Sequence, residues 1–340
     1  MKYKYYKSTI DFKDKVILIT GGTGTFGQAL ASKLLKDYHP SKIIIFSRDE
    51  FKQYEMEKHF RSIGVEKLRF FLGDVRDLQR LEVAFKDVDY IVHAAALKHV
   101  PLAEYNPFEC VKTNVFGAQN VVDASISCGV KKVIALSTDK ASNPLNLYGA
   151  SKLASDKIFI AANNYSGRKG TLFSICRYGN VVNSRGSVIP LFKKLYESQS
   201  KNIPITDKRM TRFWINANKG VEFVISSFDN MIGGEIFVPK LPSMKIIDVA
   251  KIIAPNIPIK IIGVRPGEKI HETMISEDDS RYTIELNDRY IILPHTLYNK
   301  KEKIFKNNVK NFSLKDNFKY SSETNSEWLE KKQLFDLLED

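Results

Sequence analysis

Short apolar runs alternate with amphipathic stretches through the first half of the chain. Val16-Ile17-Leu18-Ile19 reads as a buried strand, and Phe26 to Leu35 follows with helical spacing. Ile43-Ile44-Ile45-Phe46 repeats the strand pattern, and Glu50 to Phe60 the helical one. Leu68 to Leu72 and Tyr90-Ile91-Val92 predict the third and fourth strands. A long helix is expected over Pro107 to Cys128, then a strand at Val133-Ile134-Ala135-Leu136. A helix from Tyr148 to Asn163 and a sixth strand at Phe173-Ser174-Ile175-Cys176 complete the series. Strands that are apolar on both faces, alternating with helices, predict a parallel sheet covered on each side. This is a doubly wound α/β fold of the Rossmann type. Ligands of such sheets sit at the carboxyl ends of the strands, near the point where strand order reverses.

After about Asn180 the rhythm breaks, with Pro190, Pro204, Pro239, Pro242, Pro255, Pro258 and Pro266 punctuating it. The pattern predicts a nucleotide-binding domain over residues 1–180 and a mainly substrate-binding lobe over 181–340. Segments around 219–240, such as Val221–Phe228 and Ile236–Val238, are expected to return to the first domain. The Lys- and Asn-rich stretch 299–320 is expected as surface loop before a terminal helix at Trp328–Leu338.

Composition narrows the function classes. The 340 residues are 43% hydrophobic and 27% charged, enough apolar content to build a core and to exclude disorder for most of the chain. The net charge of +13 admits nucleic acid, an anionic membrane or a small anionic ligand as partner. Nucleic-acid binding calls for clustered Lys and Arg interleaved with aromatics, and the densest basic run, Lys300-Lys301-Glu302-Lys303, is short and mixed. No window approaches 18 apolar residues and the N-terminus lacks a signal-like apolar stretch, so neither nucleic acid nor membrane is an expected partner. Cys110, Cys128 and Cys176 form no CxxC pair, which suggests reduced thiols and a cytoplasmic setting. His271-Glu272 is not followed by a second His, and no metal site is expected. His93 and His99 read as structural.

Two motifs carry chemistry. Gly21-Gly22-Thr23-Gly24-Thr25-Phe26-Gly27 follows the first strand and opens a helix. Gly21, Gly24 and Gly27 permit a tight turn and close approach of the backbone to a pyrophosphate, and the helix N-terminus supplies free N–H groups. At the end of the second strand, where NAD-binding units place an acidic residue, stand Ser47 and Arg48. A hydroxyl and a guanidinium suit a 2′-phosphate, so NADP is expected; Asp49 and Glu50 have helix capping as their alternative role. Tyr148-Gly149-Ala150-Ser151-Lys152 puts Tyr148 and Lys152 on one helix face. Lys152 is expected to hold the nicotinamide ribose and to lower the Tyr148 pKa, so that Tyr148 takes a proton from a substrate hydroxyl as hydride leaves. Upstream, Ser137-Thr138-Asp139-Lys140 ends the fifth strand, and its acid–amine pair exceeds what ketone reduction requires. It suits elimination, provided Lys140 is neutral.

The run Leu136 to Pro144 with Asn146-Leu147-Tyr148-Gly149 resembles one family, as do His93 to Pro101, Arg177 to Val182, Met210 to Trp214 and Arg265-Pro266-Gly267-Glu268-Lys269. It is similar to the inverting UDP-N-acetylglucosamine 4,6-dehydratases that begin pseudaminic acid synthesis, within the extended short-chain dehydrogenase/reductases. The resemblance covers nearly the whole chain. It implies a hydro-lyase that recycles a tightly bound NADP. Tyr148 would deprotonate the C4 hydroxyl, Lys140 would remove the C5 proton and Asp139 would protonate the departing C6 hydroxyl. Retaining dehydratases carry Thr-Asp-Glu where this chain has Thr138-Asp139-Lys140, which points to the inverting branch. By the same resemblance Thr23, Gly24, Thr25, Phe26, Ser47, Arg48, Asp49, Glu50, Phe51, Lys52, Asp74, Val75, Ala94 and Lys152 line NADP. Lys98, Thr113, Asn114, Asn180, Val181, Val182, Asn183, Ser184, Arg185, Val188, Thr206, Arg265 and Glu330 would line UDP-N-acetylglucosamine. The resemblance also implies a homo-oligomer, of which the family's hexamer is one form, and a role in flagellin glycosylation or other surface polysaccharide. A UDP-sugar 4-epimerase or reductase is the alternative within the superfamily.

Overall fold

The computed structural model describes residues 5–6, 8–62, 64–167, 170–184, 186–305, 309–315 and 317–339. The first half alternates β1 (Val16–Thr20), α1 (Thr25–Asp37), β2 (Lys42–Ser47), α2 (Glu50–Phe60), β3 (Leu68–Leu72), α3 (Leu78–Ala84) and β4 (Tyr90–His93). Then come α4 (Val100–Tyr105), α5 (Pro107–Val111), α6 (Gly117–Ser127), β5 (Lys132–Thr138), α7 (Leu147–Ala162) and β6 (Leu172–Tyr178). The strands fall where the apolar runs predict them, because Ile, Val and Leu bury both faces: Ile17, Leu18, Ile19, Ile43 and Ile91 are buried. The long helix expected over 107–128 is interrupted by a π-type turn at Lys112–Phe116. This wider turn carries the buried Thr113 and Asn114, and such turns accompany functional sites.

The second half supplies β7 (Asn180–Val181), α8 (Val188–Glu197), β8 (Ile203–Ile205), β9 (Thr211–Ile215), α9 (Ala217–Ser227), β10 (Ile236–Pro239), β11 (Ser243–Lys245) and α10 (Ile246–Ile253). It continues with β12 (Ile259–Ile261), β13 (Thr273–Ile275), α11 (Glu277–Ser280), β14 (Thr283–Leu286), β15 (Arg289–Ile292) and α12 (His295–Tyr298). The chain closes with α13 (Lys301–Ile304), β16 (Val309–Asn311), β17 (Tyr320–Ser321) and α14 (Lys331–Glu339).

Among the described residues a ten-stranded sheet runs β16-β14-β15-β10-β6-β5-β4-β1-β2-β3. The seven strands from β10 to β3 are parallel; β15, β14 and β16 extend that edge antiparallel. Strand order reverses between β1 and β4, the site of ligand binding in such sheets. β10 returns to the main sheet against β6, and α9 packs on α1 as a covering helix. β14, β15 and β16, from the stretch assigned by pattern to the lobe, also join this sheet. The expected loop at 299–320 contains short elements instead. Its Phe305 and Tyr320 are buried in the main core and Phe312, Leu314 and Phe318 pack against that core, which decides their placement despite the surrounding Lys and Asn. The lobe has its own core around Phe192, Ile205, Met210, Trp214, Val249 and Leu334. The terminal helix begins at Lys331 rather than Trp328, because Trp328 bridges to Ser243 as extended chain. No helix of the described residues is long and apolar enough to cross a membrane.

Candidate active site

A cleft of about 840 Å³ lies over the carboxyl ends of β1, β2, β4, β5 and β6 and reaches the start of the lobe. Its first end is built from backbone. Gly21 has φ +64°, and a Cβ there would stand 2.9 Å from the Ala95 Cα, so glycine is required on both counts. Gly24 is the N-cap of α1 and offers no side-chain cap, leaving the first N–H groups of the helix facing the cleft. Thr23, Thr25, Phe26 and Gly27 line the same end. An open helix N-terminus behind a glycine cradle fits a dinucleotide pyrophosphate.

Beyond it, Ser47, Arg48, Asp49, Lys52, Asp74, Val75 and Ala94 line the cleft, with Phe46, Gly73, Ala95 and Ala96 between them. Arg48 stands 3.5 Å from Asp74, and Arg76 stands 2.7 Å from the same carboxylate. Burial works to raise the Asp74 pKa, but these guanidiniums outweigh it and hold the carboxyl below its ordinary value. Asp49 accepts from the Lys52 N–H at 2.9 Å and so caps α2. Glu50 and Phe51, in the first turn of α2, are exposed and do not line the cleft. The turn of the helix carries them away from it.

The other end carries the titratable groups. Asn146 caps α7 through the Gly149 N–H at 2.8 Å, so Tyr148 enters the cleft from the first turn. A Cβ on Gly149 would meet the Lys140 carbonyl oxygen at 2.3 Å, so glycine lets α7 lie against the turn Asp139–Ala141. Tyr148, Lys152 and Asp156 are buried one turn apart on one face of α7. Thr138 donates to Asp139 at 2.9 Å. Burial pushes the Tyr148 phenol up to about 12, against the pull of the Lys140 charge and of Thr138. The spacing argument gave that pull to Lys152; in the structure Lys140 exerts it, while Lys152 interacts with Asp156. Burial holds the Lys152 amine below its ordinary value, and Asp156 opposes this. Asp156 accepts from Ser137 at 2.8 Å and pairs with buried Arg177 at 3.5 Å.

Lys140 departs from expectation. Burial alone would favour the neutral base, but its ammonium lies 3.0 Å from Asp139 and 3.1 Å from Glu272, both buried carboxylates. They outweigh burial and hold the amine above its ordinary value. The resting Lys140 is therefore charged.

Lys98, Thr113, Asn180, Val181 and Ser184 line the cleft near these groups, as does Ser187. Asn114 does not reach it. Its carbonyl accepts from the Leu97 N–H at 2.8 Å, and its amide donates to the Leu97 carbonyl and the Ser151 hydroxyl. It thereby braces the loop bearing Lys98. Val182 is buried in the lobe core, and Thr206 donates to the Met210 sulfur at 2.9 Å. Asn183, Arg265 and Glu330 are exposed outside the cleft lining, and Val188 begins α8 just behind it. Arg185 lies outside the described residues. The motif around Arg265 acts through its later members. Asn146 donates to the Gly267 carbonyl at 2.8 Å and Lys269 to the Ser142 carbonyl at 2.6 Å, clamping this segment onto the turn Asp139–Ala141 and the start of α7.

Sequence reading missed Asp156, Arg177, Ser187, Arg212 and Glu272 as site residues. Asp156 carries the same i, i+4 signal from Lys152 that linked Lys152 to Tyr148. Ser187 carries an N-cap signal before α8: its hydroxyl is buried and finds no hydrogen-bond partner among the described residues. Glu272 carries no local signal. His93 is buried against Thr20 at 2.8 Å, and burial, with the Lys152 charge, lowers its pKa to about 3, so it is a neutral structural group. Among the described residues no group of three or more His, Cys, Asp or Glu could hold a metal.

Sheet order, glycine cradle and Tyr148–Lys152 pair define a Rossmann-fold protein of the short-chain dehydrogenase/reductase kind. The polysaccharide biosynthesis protein family matches residues 17–294, and the chain belongs to that family. It is 58% identical over 330 residues to the UDP-N-acetylglucosamine 4,6-dehydratase (inverting) of Campylobacter jejuni, covering 96% of this chain and 98% of that one. It is 43% identical over 288 residues to the UDP-glucose 4-epimerase of Rickettsia bellii, covering 83% of each. The X-ray structure of Pen from Bacillus thuringiensis superposes with a TM-score of 0.86 at 36% identity, covering 97% of this chain and 99% of that one.

Proposed function

We propose that the protein is a C5-inverting UDP-N-acetylglucosamine 4,6-dehydratase, a hydro-lyase that keeps and recycles NADP. The observation that carries this reading is the Asp139–Lys140 pair on the cleft beside Tyr148. A 4-epimerase needs the Tyr148 end of the cleft but has no use for an acid and an amine beside it. The likeness to the Campylobacter jejuni enzyme supports the same choice. Arg48, on the cleft at the end of β2, favours NADP over NAD.

In this reading Tyr148 takes the C4 hydroxyl proton, and Lys152, one turn along, holds the ribose of the cofactor. NADP, when bound, supplies a hydride acceptor for C4 and returns that hydride at C6. A ketone at C4 acidifies the C5 proton, which Lys140 removes while Asp139 protonates the C6 hydroxyl as water departs. Protonation of C5 on the opposite face gives UDP-2-acetamido-2,6-dideoxy-β-L-arabino-hex-4-ulose, the first intermediate toward pseudaminic acid. In this reading Lys98, Thr113, Asn180, Val181, Ser184 and Ser187, which line the cleft, contact the nucleotide sugar. Use of the product in flagellin glycosylation and a cytoplasmic location follow from the family likeness. So does a homo-oligomer, a hexamer by that likeness, which exposed Leu102, Tyr105, Phe108 and Phe116 support as an apolar surface.

The test is mass spectrometry and NMR of the product from UDP-N-acetylglucosamine in D₂O with the purified protein. The expected product is lighter by one water, carries deuterium at C5 and has inverted configuration there. Retention of the C6 oxygen would select the epimerase reading, and a retained C5 configuration would remove the inverting assignment.

A further inference from the structure

We propose that Glu272 is a positioning residue that holds the Lys140 ammonium against Asp139, so that one proton shift between those two arms base and acid together. The inference rests on the dehydratase reading above and assigns a role to a residue outside the cleft lining.

Glu272 immediately precedes β13 and is buried behind the catalytic turn. Its backbone is fixed on both sides by Ser322, whose hydroxyl accepts from the Glu272 N–H at 2.9 Å and whose N–H donates to the Glu272 carbonyl at 2.8 Å. Arg212 on β9 stands farther off, with its Nε 3.7 Å from the carboxylate. The terminal nitrogens of Arg212 donate to the carbonyls of Thr211, Ile270 and Lys269. The closest cation to Glu272 among the described residues is thus Lys140, at 3.1 Å. A carboxylate taken out of water this completely is costly unless paired, and its partner here is an amine on the reaction cleft. Asp139 Oδ2 and Glu272 Oε2 have no hydrogen-bond partner among the described residues. The charged and titratable groups facing Lys140 are Asp139 on its own turn, Tyr148 on α7, Arg212 on β9, Lys98 after β4, and Lys269 and Glu272 before β13.

The proton cycle balances. In the resting pair the proton is on Lys140 Nζ. Its transfer along the 3.0 Å hydrogen bond to Asp139 Oδ1 leaves a neutral amine and a carboxylic acid, with no change in net charge. The amine lone pair then takes the C5 proton of the 4-keto sugar. The C5–H electron pair becomes the C5–C6 double bond, the C6–O bond breaks, and the Asp139 proton goes to the departing oxygen as water. The pair ends as ammonium and carboxylate, its starting state. Glu272 exchanges no proton in this cycle and, 3.1 Å from Lys140 Nζ, supplies the counter-charge that the ammonium needs when it re-forms.

The experiment uses full-length Glu272→Gln and Glu272→Asp with UDP-N-acetylglucosamine, folding being checked by thermal unfolding. C4 oxidation is followed by reduced-nicotinamide absorbance, and elimination by loss of water. Glu272→Gln is expected to keep C4 oxidation and KM within about twofold while elimination slows at least about tenfold; Glu272→Asp recovers most of it. The alkaline limb of kcat is expected to move to lower pH in Glu272→Gln, since one of two carboxylates favouring the ammonium is gone. Unchanged elimination and pH profile, or equal loss of both steps, overturns the proposal. If the Gln variant does not fold, Glu272→Ala decides by the same split between oxidation and elimination. A wild-type protein that forms no dehydrated sugar overturns the dehydratase reading and this inference with it. A wild type that dehydrates beside an unaffected Glu272→Gln removes this inference alone.

Discussion

The two ends of the cleft are built by different means. The glycine end is made of consecutive residues, 21–27, and works through backbone: a positive φ at Gly21, a bare N-cap at Gly24 and free N–H groups. The lysine end is made of side chains drawn from β5, α7, β9 and the segment before β13, and works through buried charge. The first end tolerates solvent, because a helix N-terminus attracts an anion without any buried ion to compensate. The second requires exclusion of water, because the Asp139–Lys140–Glu272 contacts are strong only in a low-dielectric setting. Two lysines of the site make the same point. Lys152 faces one carboxylate and its amine is held below its ordinary value, whereas Lys140 faces two and is held above it.

The sharpest break of this comparison is Lys140→Ala. Elimination is expected to fall by about 100- to 10,000-fold, with C4 oxidation still visible as reduced nicotinamide in a single-turnover experiment. Normal dehydration by that variant would show that the charged end is scaffolding. Next comes Gly149→Ala, which drives a methyl against the Lys140 carbonyl oxygen. It is expected to cost about 1–3 kcal/mol in denaturant unfolding, and to slow elimination more than it weakens cofactor binding. Loss of cofactor binding alone would mean that the two ends are not separable. The smallest expected effect is at Arg48, which lines the cleft after β2 beyond the glycine end. Arg48→Ala should weaken NADP binding about tenfold, ~1.4 kcal/mol, and NAD binding little, as measured by calorimetry. An equal loss for both cofactors would remove the 2′-phosphate role of Arg48.

The glycine end was legible because its determinants act within a few residues. A strand, a glycine turn and a helix start are short-range steric facts, and Tyr148 and Lys152 meet by helical spacing alone. Capping by Asp49, anticipated as an alternative, is equally local. The lysine end was legible only in part. Asp139 and Lys140 stood out as an unusual pair, yet their charge state did not. A base at Lys140 must be neutral, whereas folding brings Glu272 and Arg212 to the same place from far along the chain. Asn114, Thr206 and Arg265 illustrate the converse. Their residue types suit a nucleotide sugar, but Asn114 spends its amide on Leu97, Thr206 donates to Met210, and Arg265 stands exposed outside the cleft. The placement of β14, β15 and β16 in the main sheet depends on an open edge at β10 that no local pattern announces.

By itself the sequence determined the parallel α/β sheet, the glycine turn before an uncapped helix N-terminus and the residue types that meet on the cleft. These follow from hydrophobic period, glycine sterics and side-chain chemistry, all of which operate over a few residues. Only the tertiary structure decided which protons those residues hold. The ionisation of Lys140 depends on two buried carboxylates, one adjacent in sequence and one delivered by the lobe, and on the exclusion of water around them.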